Sequence, residues 1–590
     1  MGEGRSLRRR NVLQAWAVMP ALLGAFLATQ YGYAWRVPFL NDDFVFLDVT
    51  RGASFLSLWL PRPAVWLWYR PWSRELHYWT LQGLFGTSVA PYHLASFALW
   101  LALMGLYWTL ARRLAGDRAA GISTAGVAAL AAWGLPLVWI AGVQDLWMIT
   151  LSLGALLGSL HARARLATVL FALALLSKET AALVPFMAFV LAWRVERQPL
   201  RTALARTAPL LAVAAAWALV HPLLGGRLWR ASAMPLAPVA NAGLASVTFR
   251  TLLAMVNLDG VPRPEFGWGG PLLLGAVGAL CLVAFAAVAF WPRAGRRGGR
   301  ERRPAVPARG LAVLAGVWAL AGWLPLLMPS VGWHAYYGLF GMLGAWLLLG
   351  AWLARRPAVA LAVIAARAVL RPLQAATGSR DWGDEWYQVR AAEFTDFMRQ
   401  DLLTKVPAVA PHSRFYFVDV PSNVGFLQGD GPALRVWYGD PTLSGGLLSQ
   451  YRVRRPGAPA GPDRFFRYDS VGGWSEIRWP RMPVSTRGDV AERLRTDHER
   501  LAIALSRGGD WPGAAAEYAK LAANFPDSVD YVYYAGLAAL AVGDSTAART
   551  WIARAAALPS ADDEVRLAAH RLGAGARPLP RGRARPRARR

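Results

Sequence analysis

Two adjacent carboxylates, Asp42 and Asp43, lie in the stretch Leu40-Asn41-Asp42-Asp43-Phe44, among Leu, Phe and Trp residues. Each disfavours ionisation of the other. A pair kept in apolar surroundings is therefore more often functional than packing. The same Asn-Asp-Asp run also satisfies a helix N-cap or a solvated turn. Downstream, Arg70 and Arg74 flank Pro71-Trp72-Ser73. A guanidinium matches phosphate geometry through paired donors, while Trp, Tyr and Arg together also anchor a chain at the headgroup zone. Tyr92-His93 opens an apolar run as a buried polar contact or a ligand to substrate. Gln144-Asp145 sits in a turn, where capping the next helix is the bland alternative. Ser177-Lys178-Glu179 interrupts another apolar run, so Lys178 and Glu179 are expected to be buried and paired, for function or as a structural ion pair. Gly332-Trp333-His334-Ala335-Tyr336-Tyr337 opens a further run; an aromatic belt explains Tyr336 and Tyr337 better than it explains His334. No Walker A lysine loop, dinucleotide fingerprint or HExxH is present, and the single Cys281 rules out a cysteine cluster with zinc spacing.

The elements that must position these groups are apolar. Of 590 residues 55% are hydrophobic and only 17% charged, with 29 Trp, which fits a polytopic membrane protein. Eleven candidate spans follow: 12–34, 94–111, 121–141, 146–160, 166–177, 180–193, 203–224, 270–291, 310–328, 332–353 and 357–370. The 166–193 pair is short enough to be a broken or tilted hairpin. Met1–Arg10 is basic and leads into an apolar stretch too long for a cleaved signal peptide, so a retained span is expected. With a cytoplasmic N-terminus the inside loops are Arg112–Arg118, His161–Arg165, Arg194–Arg201, Arg293–Arg309 and Arg355–Arg356, all basic, as the positive-inside bias requires. Asp42-Asp43, the loop 225–269 and everything after about residue 371 then lie outside the cytoplasm. The net charge of +28 does not point to nucleic acid. Residues 293–309 hold seven Arg between apolar runs, and 577–590 hold seven in a Pro/Arg tail expected to be disordered.

Residues 375 to about 500 carry more charge, with scattered Pro and Gly. Phe415–Val420 reads as a buried strand ended by Pro421. Arg464–Tyr468, Gly472-Gly473 and Trp474–Ile477 read as a hairpin. Gly509-Asp510-Trp511 then recurs as Gly543-Asp544-Ser545, a period of 34 within Ala-rich helical patterns, which matches the tetratricopeptide repeat (TPR). The expected organisation is a basic N-terminus (1–11), a multi-span core (12–371) with external loop 35–92, a mixed α/β domain (372–500), TPR-like hairpins (501–575) and the tail (576–590). The fold class is an α-helical polytopic membrane protein of about eleven spans with an extracytoplasmic α/β region and TPR-like hairpins.

Taken in order, these motifs resemble the C-type membrane glycosyltransferases, which use polyprenyl-phosphate-linked sugars. The likeness is to protein O-mannosyltransferase-like members and to those that join a multi-span core to TPRs. Asp42-Asp43 is similar to the acidic pair of the family's first external loop. Tyr69-Arg70-Pro71 and His93-Leu94 are similar to its YRP and HL signatures, and Leu176-Ser177-Lys178-Glu179 to its LSKE segment. Met328-Pro329 through Tyr337 lies where relatives have a charged, tyrosine-containing stretch, with His334 in place of an acidic or Arg residue. The resemblance implies an inverting hexosyltransferase in a bacterial inner membrane, moving sugar from the lipid phosphate to an acceptor protein, lipid or glycan. Asp42 would be the base, and Asp43 would orient the acceptor or bind a divalent metal. Arg70, Lys178, His334, Tyr336 and Tyr337 would serve the donor phosphate, supported by Arg74, His93, Gln144, Asp145 and Glu179. The TPR-like hairpins would offer a surface for a protein partner. A transporter or a TPR-bearing assembly scaffold is the alternative, and a lipid-glycan polymerase or ligase a third reading.

Overall fold

The apolar runs fold as helices because a chain without water must satisfy its backbone groups internally. The structure, a computed structural model, describes residues 18–61, 68–224, 243–262, 269–290, 306–327, 333–376, 383–420, 431–479 and 488–573. The basic N-terminus, most of the 293–309 cluster, Met328-Pro329, Pro421 and the Arg/Pro tail lie outside the described residues. Two compact units are formed, Met1–Asp396 and Phe397–Arg590.

In the first unit six helices are long and apolar enough to cross a membrane: Val89–Ala115, Ile140–Leu160, Leu200–Val220, Gly269–Val288, Ala308–Leu327 and Ala335–Leu353. A seventh is counted if the pair Asp117–Ala128 and Ala131–Val138, bent by 56°, is one span. Among the described residues eleven full spans are therefore not reached. The 166–177 run is the helix Ala164–Leu175, whose 12 residues reach only about 18 Å of the ~30 Å hydrocarbon core. The 180–193 run is broken into a 3-10 turn at Glu179–Leu183, a helix Val184–Val190 and a widened turn at Leu191–Val195. Of the 12–34 run, helix is described over 18–31. The last run falls on Pro357–Leu373, which carries the buried Arg367 and Arg371.

The bend in the seventh span is built by side chains. Asn257, at φ +58, donates from Nδ2 to Ala129 O (2.6 Å) and accepts from Ala131 N (2.9 Å). Arg367 Nη1 donates to Gly126 O at 2.6 Å, and its guanidinium lies 4.3 Å from the Trp346 ring. These contacts satisfy the carbonyls and amide freed by the break, as an apolar interior demands.

The second unit holds a four-stranded sheet in the order Ser444–Leu447, Arg414–Val418, Asp463–Asp469, Gly473–Glu476. The first two pairings are parallel and the last antiparallel. Phe415, Tyr416 and Phe417 are buried in succession, as expected of a strand covered on both faces. The expected hairpin pairs Phe466 with Glu476 and Tyr468 with Trp474. Beyond it run the helices Asp489–Gly508, Trp511–Asn524, Val529–Val542, Ser545–Ala556 and Asp563–Gly573. The 34-residue period has a local cause. Gly509 and Gly543, at φ +85 and +95, end their helices in the left-handed region. Asp510 and Asp544 then cap the next ones, accepting from Gly513 N and Ala547 N. This is a repeating helical hairpin; membership of the TPR family is not established by it.

Candidate active site

Helix ends bring the polar residues together. Arg70 follows the stretch 62–67. Gln144 and Asp145 occupy the first turn of the helix Val143–Leu160, and Lys178-Glu179 follow the helix Ala164–Leu175. Tyr336 and Tyr337 lie in the 3-10 turn Ala335–Gly338 that starts a span. All meet at one end of the bundle.

Arg70 is the hub. Its Nε donates to Glu179 Oε1 at 2.9 Å, Nη2 to Glu179 Oε2 at 2.5 Å, and Nη1 to Gln144 Oε1 at 2.9 Å. Three of five guanidinium N–H groups are thus committed, which leaves a positively charged fork held rigidly. Lys178 Nζ donates to both oxygens of Asp145 at 2.6 Å. It also stands 4.8 Å from the Tyr337 ring and 5.4 Å from that of Tyr336. Lys178 and Glu179, expected as a buried pair, are therefore paired with different partners. In the nearly extended backbone at Lys178 (φ −165, ψ 143) neighbouring side chains diverge.

The two adjacent aspartates also diverge. Asp43 is fully buried; Tyr78 donates to its Oδ1 at 2.6 Å and the Leu40 amide to its Oδ2 at 2.8 Å. Burial lifts its carboxyl to about 7, against those two hydrogen bonds. Asp42 is half-buried, and among the described residues its carboxylate accepts no hydrogen bond. Burial raises its pKa above the usual carboxylate range, opposed by the charges of Arg74 and Arg70. Asp42, Arg70 and Asp145 all lie within electrostatic reach of Tyr337.

Burial would raise Glu179, but Arg70 and His221 outweigh it and hold the carboxyl down to about 2. The same attraction raises Arg70 despite its desolvation. Lys178 moves the other way, its ammonium lowered by burial more than Asp145 restores it. Arg74 bonds Glu75 through Nε (3.0 Å) and Nη2 (2.6 Å) and lies 5.5 Å from the Phe46 ring.

His93 is outside this constellation. Its two ring nitrogens lie 3.3 Å from Leu137 O and 3.0 Å from Val37 O, tying the segment after the first helix to the bent pair Asp117–Ala128 and Ala131–Val138. His334 is buried and packs on Tyr336 and Tyr337, with ring centroids 6.0 and 5.7 Å away. His221, overlooked in the sequence, is wholly buried, with Nε2 3.7 Å from Glu179 Oε1 and 3.5 Å from the Tyr69 amide nitrogen. A signal for it existed, because a histidine before Pro222 at the end of an apolar run meets the criterion that singled out His334. Tyr78 was also missed; it is one more aromatic in a Trp/Tyr-rich loop. Among the described residues no group of three or more His, Cys, Asp or Glu is placed to hold a metal ion. Asp43, with both oxygens taken, is a poor ligand.

No family model matches this chain, and no curated protein does. Two solved structures are similar at a distance. ArnT from Cupriavidus metallidurans bound to undecaprenyl phosphate is 14% identical, covers 78% of this chain and 93% of its own, and gives a TM-score of 0.38. ArnT from the same organism in the apo state is 16% identical, with coverages of 73% and 84% and a TM-score of 0.33. Likenesses of that size assign this chain neither a fold nor an activity.

Proposed function

We propose that the chain is a membrane glycosyltransferase that moves a sugar from a polyprenyl-phosphate carrier to an acceptor hydroxyl at the extracytoplasmic face, with inversion. One observation carries the reading. A half-buried carboxylate with no protein hydrogen bond among the described residues, Asp42, shares one end of the helical bundle with Arg70, Arg74 and Lys178, all held by their own partners. That is the division of charge a displacement at a phosphate-bearing carbon needs.

In the proposed step the Asp42 carboxylate takes the acceptor hydroxyl proton as the oxygen attacks the anomeric carbon. The bond from that carbon to the phosphate oxygen breaks, and the polyprenyl phosphate leaves with the electron pair. Arg70 and Lys178 hold the charge that grows on the departing oxygens. A single displacement inverts the anomeric centre. Burial raises Asp42 above the usual carboxylate range, opposed by the charges of Arg74 and Arg70. Asp43, saturated by Tyr78 and Leu40, fixes the start of the helix Asp42–Thr50 and so the position of its neighbour. The 34-residue hairpins are read as TPR units that present a surface to a partner.

The test is transfer from a panel of synthetic polyprenyl-phosphate sugars, with the protein in liposomes and the product's anomeric configuration read by NMR. An inverted glycoside from at least one donor is expected. No transfer from any donor by the folded protein would overturn the reading in favour of a transporter or scaffold.

A further inference from the structure

A second polar space adjoins the constellation just described. An open cleft of about 60 Å³ is lined by Asp259, Asp384, Glu385, Arg371, Trp386 and Tyr336, among others. Tyr336 is common to both places, since Lys178 Nζ lies 5.4 Å from its ring on the Asp145 side.

The walls differ in charge from the Arg70 side. Three carboxylates face one guanidinium. Arg371 binds both Glu385 oxygens at 2.8 Å and donates to Gln30 O at 2.5 Å, and its guanidinium lies 3.8 Å from the Tyr31 ring. One oxygen of Asp384 is fixed by the Trp386 amide at 3.0 Å. Trp386 is half-buried and stacked on Tyr33 (5.3 Å, 21°), which sets the plane of its ring. Fixed carboxylates accept hydrogen bonds from neighbouring hydroxyls, and a fixed aromatic face packs the C–H side of a sugar ring. Glu385 is matched by Arg371, which leaves Asp259 and Asp384 to disfavour a phosphate or carboxylate placed beside them.

We propose that this cleft binds an uncharged, hydroxyl-rich sugar, the glycosyl end of the acceptor, on the opposite side of Tyr336 from the donor phosphate. The proposal rests on the transferase reading for its assignment to the acceptor, but binding itself needs no transfer. The cleft thereby selects neutral acceptors and rejects uronates and sugar phosphates.

The experiment is saturation-transfer NMR on the full chain in detergent, with a methyl hexopyranoside and the matched methyl hexuronoside as probes. Saturation of the neutral glycoside but not of the uronoside is expected. Asp259→Asn and Asp384→Asn, both near-isosteric and the second still able to cap Trp386, should each weaken it about tenfold. If one variant fails to fold, the other decides. Equal or stronger saturation of the uronoside, no saturation of either probe, or an unchanged signal in a folded variant would overturn the proposal. Neutral glycoside bound here by a chain that transfers from no donor would retire the transferase reading and leave the cleft standing.

Discussion

Two regions of opposite character meet at the peptide bond between Asp42 and Asp43. On the Asp43 side everything is saturated. The Tyr78 hydroxyl and the Leu40 amide take its two oxygens, and the rings of Phe46 and Tyr92 pack on Tyr78 at 5.1 and 5.6 Å. On the Asp42 side two arginines supply charge without a hydrogen bond to the carboxylate among the described residues. The comparison teaches that an acidic pair need not share one role. One carboxylate builds the loop, which under the proposed function leaves the other to react.

The largest effect on stability is expected away from the pair. Lys178→Met removes the cation that holds both oxygens of buried Asp145. Leaving that carboxylate unpaired should cost about 3–5 kcal/mol, read by denaturant unfolding in detergent. Lys178→Met combined with Asp145→Leu should regain most of the stability but none of the transfer. Recovery of both would reduce Lys178 to a structural ion.

Next comes Asp43→Ala, which strands the Tyr78 hydroxyl and the Leu40 amide. A loss of about 2–3 kcal/mol is expected, with transfer per folded molecule reduced less than stability suggests. A stable but inactive Asp43→Ala protein would move the reactive carboxylate to Asp43.

The smallest effect is a pH dependence. Asp43 titrates near 7 in the folded chain against an ordinary value of 3.8. The folded state therefore holds this proton more tightly, and the stability so gained is complete below about pH 4 and lost as pH rises through 7. Unfolding midpoints of the wild type should fall over that window relative to those of Asp43→Asn, which cannot titrate. Parallel profiles would show that the burial penalty at Asp43 is compensated.

Much of this was legible because membrane chains advertise themselves. The apolar runs at 94–111 and 146–160 lie within helices, and most of 203–224 and 335–353 does, since hydrocarbon leaves the backbone no other choice. The interruption at 166–193 was visible as shortness, but not its path, because 3-10 and widened turns carry no periodic signature. Residue types also pointed to Asp42, Arg70, Asp145 and Lys178. What they could not show was pairing. Arg70 meets Glu179 across 109 positions and Gln144 across 74, and Lys178 turns from its neighbour to Asp145. Such partners are fixed by tertiary packing, not by local sequence. Asn257, which closes the break beside Ala129, was hidden for the same reason.

The account stands most directly on sugar transfer by Asp42→Asn set beside Asp43→Asn, each measured against wild type with the same polyprenyl-phosphate sugar. Loss of a general base costs roughly 10²–10⁴-fold, so Asp42→Asn should fall by that much with its unfolding midpoint unchanged. Asp43→Asn should stay within about tenfold of wild type, since a positioning role costs less than the base itself. Equal activity of Asp42→Asn and wild type, or a collapse confined to Asp43→Asn, would contradict it.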